Sequence, residues 1–400
     1  MDNVRANQII TINESKTSQT LEEIEKNIDE NIFTKSMDQI VFKHNENYFS
    51  DFNKNRMLNQ MYSSLGPKGS LGDMDNDGYE DLFIGGSKGF SPVILKGSPN
   101  KFTEQKLAIF DINKGSEDTE SLLFDADNDG DLDLYVCSGG IEFNKYSREL
   151  GDRLYLNNGK GDFDLSDQKL PSNSEYFSTG TVISSDIDMD GDLDLFVGER
   201  MNPEKYGMPG SGFILLNNGQ GVFENATETV ASELKNIGMI TDATFNDLDK
   251  DGDDDLVVVG EFMGIEIFVN ENGNFQKMKE NPLSSLKGWW NTIGVSDLDN
   301  DGDMDLIIGN HGLNSRFRAT TTNPITLFLK DFDLNGSLDP IFTFRAENGK
   351  DYPYALRHNL IDQIKNLKKK FPDYKSFVNA DIKVIFNEKE LQGATLLSAN

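Results

Sequence analysis

The stretch FDADNDGDLDLYV, residues 124–136, places five aspartates within nine positions and then continues into apolar residues. Two carboxylates about 4 Å apart repel each other by roughly 4 kcal/mol at an effective dielectric constant of 20. A chain that concentrates this much negative charge beside a predicted buried strand therefore needs a positive charge among the carboxylates.

The same pattern, DxDxDGxxDL, occurs five times, beginning at Asp73, Asp125, Asp186, Asp247 and Asp297. A predicted strand precedes most of these loops, and an apolar strand follows each of them. Further along most units comes a β-type run that ends in an Asn/Gly turn, as in RLYLNNGKGDF (153–163) and FILLNNGQGVF (213–223). Asn-Gly pairs accept positive φ angles and close hairpins between strands. Each unit is therefore predicted to contain four antiparallel strands.

The length of the repeat favours one architecture. Four-stranded sheets that recur every 50 to 60 residues or so fit the radial blades of a propeller, because each blade covers the face of its neighbour. A linear solenoid usually has shorter repeats, and independent β-sandwiches need about 100 residues each. The sequence thus predicts an all-β fold, a β-propeller of four-stranded antiparallel blades.

The chemistry of the loops points to calcium. This hard cation takes six to eight oxygen ligands, and a short loop supplies them when alternate residues point inward around a glycine turn. The predicted ligands lie at positions one, three, five, seven and nine of each loop, with the backbone carbonyl of Tyr79 serving at position seven of the first. They are Asp73, Asp75, Asp77, Tyr79 and Asp81; Asp125, Asp127, Asp129, Asp131 and Asp133; Asp186, Asp188, Asp190, Asp192 and Asp194; Asp247, Asp249, Asp251, Asp253 and Asp255; and Asp297, Asp299, Asp301, Asp303 and Asp305.

Two other interpretations of these loops agree less well with the sequence. An EF-hand needs a bidentate glutamate at position twelve and helices on both sides, but position twelve is an isoleucine or valine of a predicted strand in every copy, such as Val136. Solvated acidic turns without metal would require the fixed glycine and the apolar residues to coincide five times. Calcium in the loops remains the preferred interpretation.

A sixth loop departs from the spacing. The stretch KDFDLNGSLDPIF (330–342) offers Asp331, Asp333, Asn335, Ser337 and Asp339 as ligands, but it follows the fifth loop too closely to begin a new unit. We expect it to join the third and fourth strands of the fifth blade. The sequence therefore predicts five to six calcium ions.

These loops resemble the FG-GAP or VCBS repeats of integrin α-subunit propellers. Stretches such as GDRLYLNNGKGDF, GWWNTIGVSDLD and GNHGLNSR are also similar to large bacterial VCBS-repeat proteins of the ASPIC/UnbV-associated type, over roughly residues 39–390. The resemblance implies calcium in the loop between the first and second strands of each blade. It also implies an extracytoplasmic location, at the cell surface, in the outer membrane or secreted, as a free protein or a lipoprotein.

The predicted organisation has four parts: a polar N-terminal extension (1–38), the blades (39–354), a helical insertion (355–386) and the start of a further blade or a tail (387–400). The helical insertion is predicted from the stretch ALRHNLIDQIKNLKKKF, which places Leu356, Leu360, Ile364 and Phe371 on one helical face. The complete ring is expected to hold up to seven blades, with further blades beyond Asn400 or the ring completed in another way.

The net charge and the composition of the chain exclude some classes of binding partner. With 68 acidic and 38 basic residues the formal net charge is -30, which repels nucleic acid and anionic lipid surfaces. No apolar run is long enough to span a membrane, and no signal segment is visible at the start of this sequence. The single cysteine, Cys137, is expected to be a small buried side chain.

The expected function is non-catalytic: a binding, adhesion or scaffold module that is docked on a cell-surface or outer-membrane complex. By resemblance to integrin-type propellers, a protein or glycan partner would bind the face opposite the calcium loops. The alternative is a carbohydrate-active enzyme of the polysaccharide lyase type, but no HExxH motif, nucleophile elbow or phosphate-binding loop is present. The candidate residues of the ligand face are Arg200, Tyr206, Trp289, Trp290, His311, Asn314 and Arg316. The alternative for these residues is structural: the tryptophans pack between blades, and the arginines pair with the abundant acids.

Overall fold

The computed structural model describes residues 42–312 and 315–400, so the predicted N-terminal extension (1–38) and Asn314 lie outside the described residues. Four consecutive blades are four-stranded and antiparallel, with each strand hydrogen-bonded to the next in chain order. The strands are β1 Gly69–Gly72, β2 Asp81–Ile84, β3 Val93–Lys96 and β4 Thr103–Gln105; β5 Asp118–Phe124, β6 Asp133–Ser138, β7 Arg153–Asn157 and β8 Phe163–Leu165; β9 Thr179–Ser185, β10 Asp194–Glu199, β11 Gly212–Leu216 and β12 Glu224–Asn225; and β13 Met239–Asn246, β14 Asp255–Met263, β15 Glu266–Asn270 and β16 Phe275–Lys277.

The blades are arranged side by side through their first strands. β1 lies against β5, β5 against β9, and β9 against β13. All residues of β6, β10 and β14 are buried, because each second strand has a neighbouring blade on one or both of its faces. The predicted β-propeller of four-stranded antiparallel blades is confirmed.

Apolar clusters between adjacent blades hold this arrangement together. Tyr135 of the second blade shares one cluster with Val182 and Leu195 of the third, and Phe196 of the third shares another with Val258 of the fourth. Burying each such side chain contributes roughly 1.5–3 kcal/mol. The repeat is therefore stabilised by contacts between neighbours rather than by one central core.

The fifth unit differs from the other four. β17 (Gly288–Ser296) and β18 (Asp305–Asn310) pair with each other, and β17 also pairs with the end of β14 at Glu261↔Trp289. The sixth loop was predicted to join the third and fourth strands of this blade, and that prediction is wrong. β19 (Ile325–Lys330) and β20 (Asp339–Arg345), which flank the loop, belong to a separate sheet of order β21-β20-β19-β22, with β21 at Asp351–Pro353 and β22 at Thr395–Ala399.

The separate sheet exists because β19 is apolar on both faces. Leu327 and Leu329 lie in the cluster shared with the propeller, whereas Phe328 lies in the cluster formed with the C-terminal helices. Successive side chains of a strand point to opposite faces, so β19 needs a cover on each side. Residues 387–400, predicted to begin a further blade or a tail, instead supply a short helix and β22, which pairs with β19.

Short helices complete the chain. Leu360, Ile364 and Phe371 are buried against the outer face of the C-terminal sheet, as the helical pattern predicted, but Leu356 is 57% exposed because it precedes the first turn. The α-helices are α1 Asp51–Lys54, α2 Thr227–Val230, α3 Arg357–Gln363, α4 Leu367–Lys370, α5 Tyr374–Phe377, α6 Ile382–Ile385 and α7 Glu388–Leu391, and 3-10 turns lie at Ala108–Asn113, Arg148–Leu150, Ser232–Leu234 and Pro282–Ser285. Among the described residues, none of the helices has the length and hydropathy needed to cross a membrane.

Two segments cover one face of the propeller, the face formed by the connections between second and third strands. The N-terminal segment, residues 42–68, crosses it, and the Lys54 ammonium donates hydrogen bonds to the carbonyls of Phe143 and Pro203, both at 3.0 Å. The C-terminal sheet packs on the same face: Leu58, Tyr206 and Phe342 share one apolar cluster. The calcium-type loops of the four complete blades join first to second strands and so lie at the opposite end.

Candidate metal-binding loops

All six acidic loops have the same backbone conformation. The residue at position four has a positive φ, 56° at Asn76 and 60° at Leu334, and the glycine at position six has φ of 89° at Gly78 and 91° at Gly336. An added Cβ at either glycine would meet no atom within 4 Å, so the backbone angle and not crowding requires glycine. The sixth loop thus has the geometry of the others although it lies in another sheet.

The first aspartate of each loop organises the turn. In the first loop Asp73 accepts hydrogen bonds from the backbone N–H groups of Asp77 at 3.1 Å and Gly78 at 2.8 Å. In the sixth loop Asp331 accepts the equivalent bonds from Asn335 and Gly336. These bonds hold the carboxylates of the loop on its inner side.

The structure brings carboxylates together in each of the first five loops. Three aspartates per loop each offer one oxygen, and these oxygens lie within 4.8 Å of one another. The groups are Asp73, Asp75 and Asp81; Asp125, Asp127 and Asp133; Asp186, Asp188 and Asp194; Asp247, Asp249 and Asp251; and Asp297, Asp299 and Asp305.

Buried carboxylate oxygens without hydrogen-bond partners indicate whether the loop residues are suited to bind a metal ion. Six loop carboxylates in four of the loops each have one buried oxygen without a hydrogen-bond partner among the described residues: Asp75, Asp125, Asp127, Asp131, Asp253 and Asp333. A buried polar atom without a partner is costly, and a buried charge without one is costlier still. An oxygen-ligated divalent cation would satisfy these atoms, so the donor set fits calcium.

The electrostatics of the second loop support the same conclusion. Burial, together with the charges of neighbouring carboxylates, raises the pKa of Asp131 to about 6. Burial raises the pKa of Asp133 to about 7, against hydrogen bonds from Asn157 and Ala126 that lower it. A nearby cation favours the charged form of a carboxylate and reverses such shifts.

In the first loop a lysine side chain lies beside the carboxylates. The Lys96 ammonium contacts Asp75 directly and lies 3.6 Å from Asp77. Part of the negative charge of this loop is therefore balanced by the protein itself.

The last aspartate of each of the first four loops accepts two backbone hydrogen bonds that the sequence did not predict. Asp133 accepts backbone hydrogen bonds from Ala126 at 2.8 Å and from Asn157 at 2.7 Å. Asp194 does the same with Ile187 and Asn217. This carboxylate ties its loop to the start of the hairpin between the third and fourth strands.

The sequence analysis missed an asparagine side chain that hydrogen-bonds to the loops of two neighbouring blades, which we call the asparagine clasp. The Asn217 side chain donates one hydrogen bond to the carbonyl of Ala126 in the loop of the preceding blade, at 2.8 Å, and one to Leu193 in its own loop, at 3.1 Å. Asn157 and Asn270 make the equivalent pairs of bonds. The signal in the sequence is the recurrent asparagine at the end of the third strand, a residue that the turn alone also explains.

The predicted ligand face is largely buried. Tyr206 and Trp289 are 5% and 3% exposed, and the Arg200 guanidinium donates to Glu261 at 2.6 Å, an acid that also accepts from the Tyr206 hydroxyl at 2.7 Å. Arg200, Tyr206 and Trp289, which are candidates for the ligand face, therefore lie beneath the N-terminal segment and the C-terminal sheet.

The remaining residues of that set have different positions. The Trp290 indole N–H donates to the carbonyls of Met263 and Leu286, both at 3.2 Å, so this side chain ties the fourth blade to the fifth. His311 is partly buried and stacks on Trp289 with ring centroids 4.7 Å apart. Arg316 is exposed. Cys137 is buried, as expected, and burial raises the pKa of its thiol.

Comparison with known proteins identifies the class first. The family model for FG-GAP-like repeats matches residues 73–136, 125–197, 186–258 and 247–308. These four overlapping copies begin at the first aspartates of the loops and together cover more than half of the chain. Propeller blades carrying such loops define an FG-GAP type β-propeller. The chain belongs to the FG-GAP-like repeat family.

Solved structures show weaker similarity. Rhamnogalacturonan lyase YesW matches with a TM-score of 0.35 and 12% identity over 72% of this chain and 55% of the lyase, so the chain spans about half the length of that protein. A protein described as an exo-beta-1,3-galactanase from Bifidobacterium bifidum s17 matches with a TM-score of 0.32 and 8% identity over 72% of this chain and 91% of that one. No curated protein sequence matches the chain. At these TM-scores the two structures carry no conclusion about activity.

Proposed function

We propose that the chain is a non-catalytic, calcium-stabilised β-propeller that acts outside the cytoplasm as a binding, adhesion or scaffold module of a cell-surface or outer-membrane assembly. One observation carries the calcium part of this proposal: five repeated loops each bring three carboxylate oxygens within 4.8 Å of one another. The buried oxygens without partners in four of the six loops support it.

The chain's own residues would use the ion in a mechanical way. Aspartates of each loop would hold the ion, and the first aspartate keeps the turn closed. In the first four loops the last aspartate connects the loop to the hairpin of its blade. When bound, calcium supplies positive charge that offsets the mutual repulsion of the carboxylates. Six ions would change the formal charge from -30 to about -18, given the double charge of each cation.

Two buried acids outside the loops are engaged in ion pairs. Glu261 is engaged by Arg200, and Asp118 by the Arg153 guanidinium at 2.7 Å. Both pairs join elements of the propeller: the residue after β10 with β14, and β5 with β7. Carboxylates held in such pairs stabilise packing and are not available for proton transfer to a ligand.

The test of the calcium part is a titration of the chelator-treated chain. Isothermal titration calorimetry should show five to six calcium ions per chain, and magnesium should bind far more weakly because it demands a stricter octahedral geometry. A stoichiometry near zero would contradict calcium in the loops.

The test of the binding part is capture from cell-surface material in calcium, repeated in chelator, together with a polysaccharide panel. Retention of a glycan or a protein in calcium without turnover would support a binding module. Release of new reducing ends or unsaturated sugars by the purified chain would overturn the non-catalytic assignment in favour of a carbohydrate-active enzyme.

A further inference from the structure

A cavity of about 380 Å³ opens on the covered face, away from the acidic loops of the blades. The N-terminal segment forms one wall, and the C-terminal sheet with the start of α3 forms the other. Its polar lining consists of Arg56, Asn59, Arg316 and Asn359, and its aromatic lining of Phe52, Phe342 and Tyr354.

The charge of this cavity is opposite to that of the chain. No aspartate or glutamate lines it, although the chain contains 68 acidic residues. Arg56 and Arg316 are both exposed, and among the described residues neither forms an ion pair with a carboxylate. Two free guanidinium groups beside one cavity favour an anionic ligand.

Aromatic side chains hold one of these arginines in place. The Arg316 guanidinium lies 5.0 Å from the ring centroid of Phe317 and 5.9 Å from that of Tyr354. Tyr354 is itself partly buried and accepts a backbone hydrogen bond from Arg318 at 3.5 Å. A planar guanidinium positioned in this way suits bidentate recognition of a carboxylate.

The rest of the lining suits a ligand with hydroxyl groups and an apolar face. The Asn59 side-chain oxygen accepts from the Tyr62 hydroxyl at 2.8 Å, which leaves its N–H donors for a ligand. Asn359 makes no side-chain hydrogen bond to any described residue and is partly exposed. Phe52 and Tyr354 add aromatic surface, and a cavity of this volume falls in the range of small-molecule sites.

We propose that this cavity binds a uronic acid, a sugar that carries a carboxylate, as a residue of an acidic polysaccharide. Arg56 and Arg316 would bind the carboxylate, the two asparagine amides would bind ring hydroxyls, and Phe52 or Tyr354 would pack against the apolar face of the sugar ring. This inference specifies the ligand class of the binding function proposed above and rests on that function.

The experiment is calorimetric titration of the calcium-loaded 400-residue chain with digalacturonic acid and with its methyl ester, which lacks the charge. The acid should bind at least ten-fold more tightly than the ester. Arg56→Met and Arg316→Met should each weaken binding of the acid about ten-fold and bring it close to that of the ester. Arg148→Met is the matched control, because Arg148 is an exposed arginine outside the cavity, and it should bind like the unmodified chain.

Each outcome decides the proposal. Equal binding of acid and ester, or no binding by a chain whose calcium-dependent melting is intact, would overturn it. Binding of benzoate as tight as that of digalacturonic acid would also overturn it, because the site would then recognise any organic carboxylate. If digalacturonic acid does not bind while the chain still retains another glycan or a protein from surface material, the proposed ligand class is wrong and the proposed binding function is kept. If the chain cleaves its ligand, the proposed function itself fails.

Discussion

At the scale of single residues, the asparagine clasp explains how neighbouring blades keep their register. Asn217 lies at the end of β11, and its amide satisfies carbonyls in two different loops. Asn157 and Asn270 occupy the same place in the second and fourth blades. In the first blade Gly97 stands at this place and donates through its backbone to Asp81. Among the described residues, the first blade has no preceding blade to clasp.

Removing one clasp should be costly. We expect Asn217→Ala to lower the free energy of unfolding by about 1 kcal/mol, because the Leu193 carbonyl loses its donor, whereas the Ala126 carbonyl keeps the backbone N–H of Gly221 as a donor. The measurement is urea denaturation of the calcium-saturated chain. Gln220→Ala, in the exposed part of the same hairpin, is the control and should change the stability by less than about 0.5 kcal/mol. An unchanged midpoint in Asn217→Ala would show that the clasp is dispensable.

A buried glutamate outside the loops should make stability depend on pH. Burial raises the pKa of Glu117 from 4.5 to about 8, although the backbone N–H of Lys88 donates to it. Between these two pH values the folded chain binds more protons than the unfolded chain, so this group reduces stability as pH rises. Glu117→Gln keeps an acceptor for Lys88 and removes the titration.

We therefore expect Glu117→Gln to be more stable than the unmodified chain at pH 8, by about 1–2 kcal/mol, and the difference to shrink toward pH 5. Thermal unfolding of both proteins across this range measures the effect, and taking the difference cancels the contribution of the calcium loops. A difference that stays constant with pH would contradict a raised pKa at Glu117.

Sequence reasoning at this scale succeeded where the information is local. The aspartates of the loops follow from spacing within nine positions, and the structure places three carboxylates of each of the first five loops together. The clasp of Asn217 with Ala126 and the pair of Arg200 with Glu261 join residues 91 and 61 positions apart. Nothing in a local pattern identifies such partners, so the sequence does not name Glu261 as the partner of Arg200.

At the scale of elements, the sixth loop shows what the repeat does not encode. Its motif specifies a hairpin between β19 and β20, and that hairpin is present. The motif does not specify the neighbouring strand, which is β22 and not β18. The position of β19 follows from burial. Leu327 on one face and Phe328 on the other are both apolar and must both be buried. A sheet that lies between the propeller and the C-terminal helices buries both faces.

The hairpins also couple each loop to the next blade. Gly273, in the turn between β15 and β16 of the fourth blade, lies so close to Asp188 of the third that an added Cβ would approach its side chain to 2.9 Å. Asn270 in the same hairpin donates to the carbonyl of Ile187. Disorder in one calcium loop should therefore reach the following blade.

We expect Asp188→Ala combined with Asp190→Ala to remove one bound calcium and to loosen two separate stretches. Amide hydrogen exchange should accelerate in residues 186–194 and also in residues 270–275, while the first blade keeps its protection. The control is Asp164→Ala, at an exposed position of β8, which should retain all ions and all protection. Faster exchange confined to residues 186–194 would argue against coupling between blades.

At the scale of the whole molecule, the two ends of the blades have different roles. One end carries the acidic loops, whereas the other is covered by the N-terminal segment and the C-terminal sheet, with Tyr62 and Phe342 in the shared cluster. The repeats predicted the blades and the loops but not this cover, because the covering segments are outside the repeat. An accessible surface on the covered end must therefore be sought between the cover and its neighbours, where Arg316 lies.

Chelation should destabilise the whole chain. A ligand present at 100 times its dissociation constant stabilises the folded state by about 2.7 kcal/mol per site, and five or more sites act on one array of blades. We expect differential scanning calorimetry to show a melting temperature at least 5 °C lower in EDTA than in 1 mM calcium. Magnesium at the same concentration is the control and should restore little of the loss. A melting temperature that is the same in calcium and EDTA would count against structural metal.

Calcium should also reverse the pH dependence of stability. Without the ion, burial raises the pKa of Asp133 to about 7 and of Asp194 to about 6, well above 3.8, so the folded chain binds extra protons and its stability falls as pH rises from about 4 to 7. With the ion, the ligands must be deprotonated, so protons compete with calcium and stability rises over the same interval. Melting temperatures measured from pH 5 to 7.5 should therefore slope downward in EDTA and upward in calcium. Parallel slopes would mean that the carboxylates of the loops do not bind the ion.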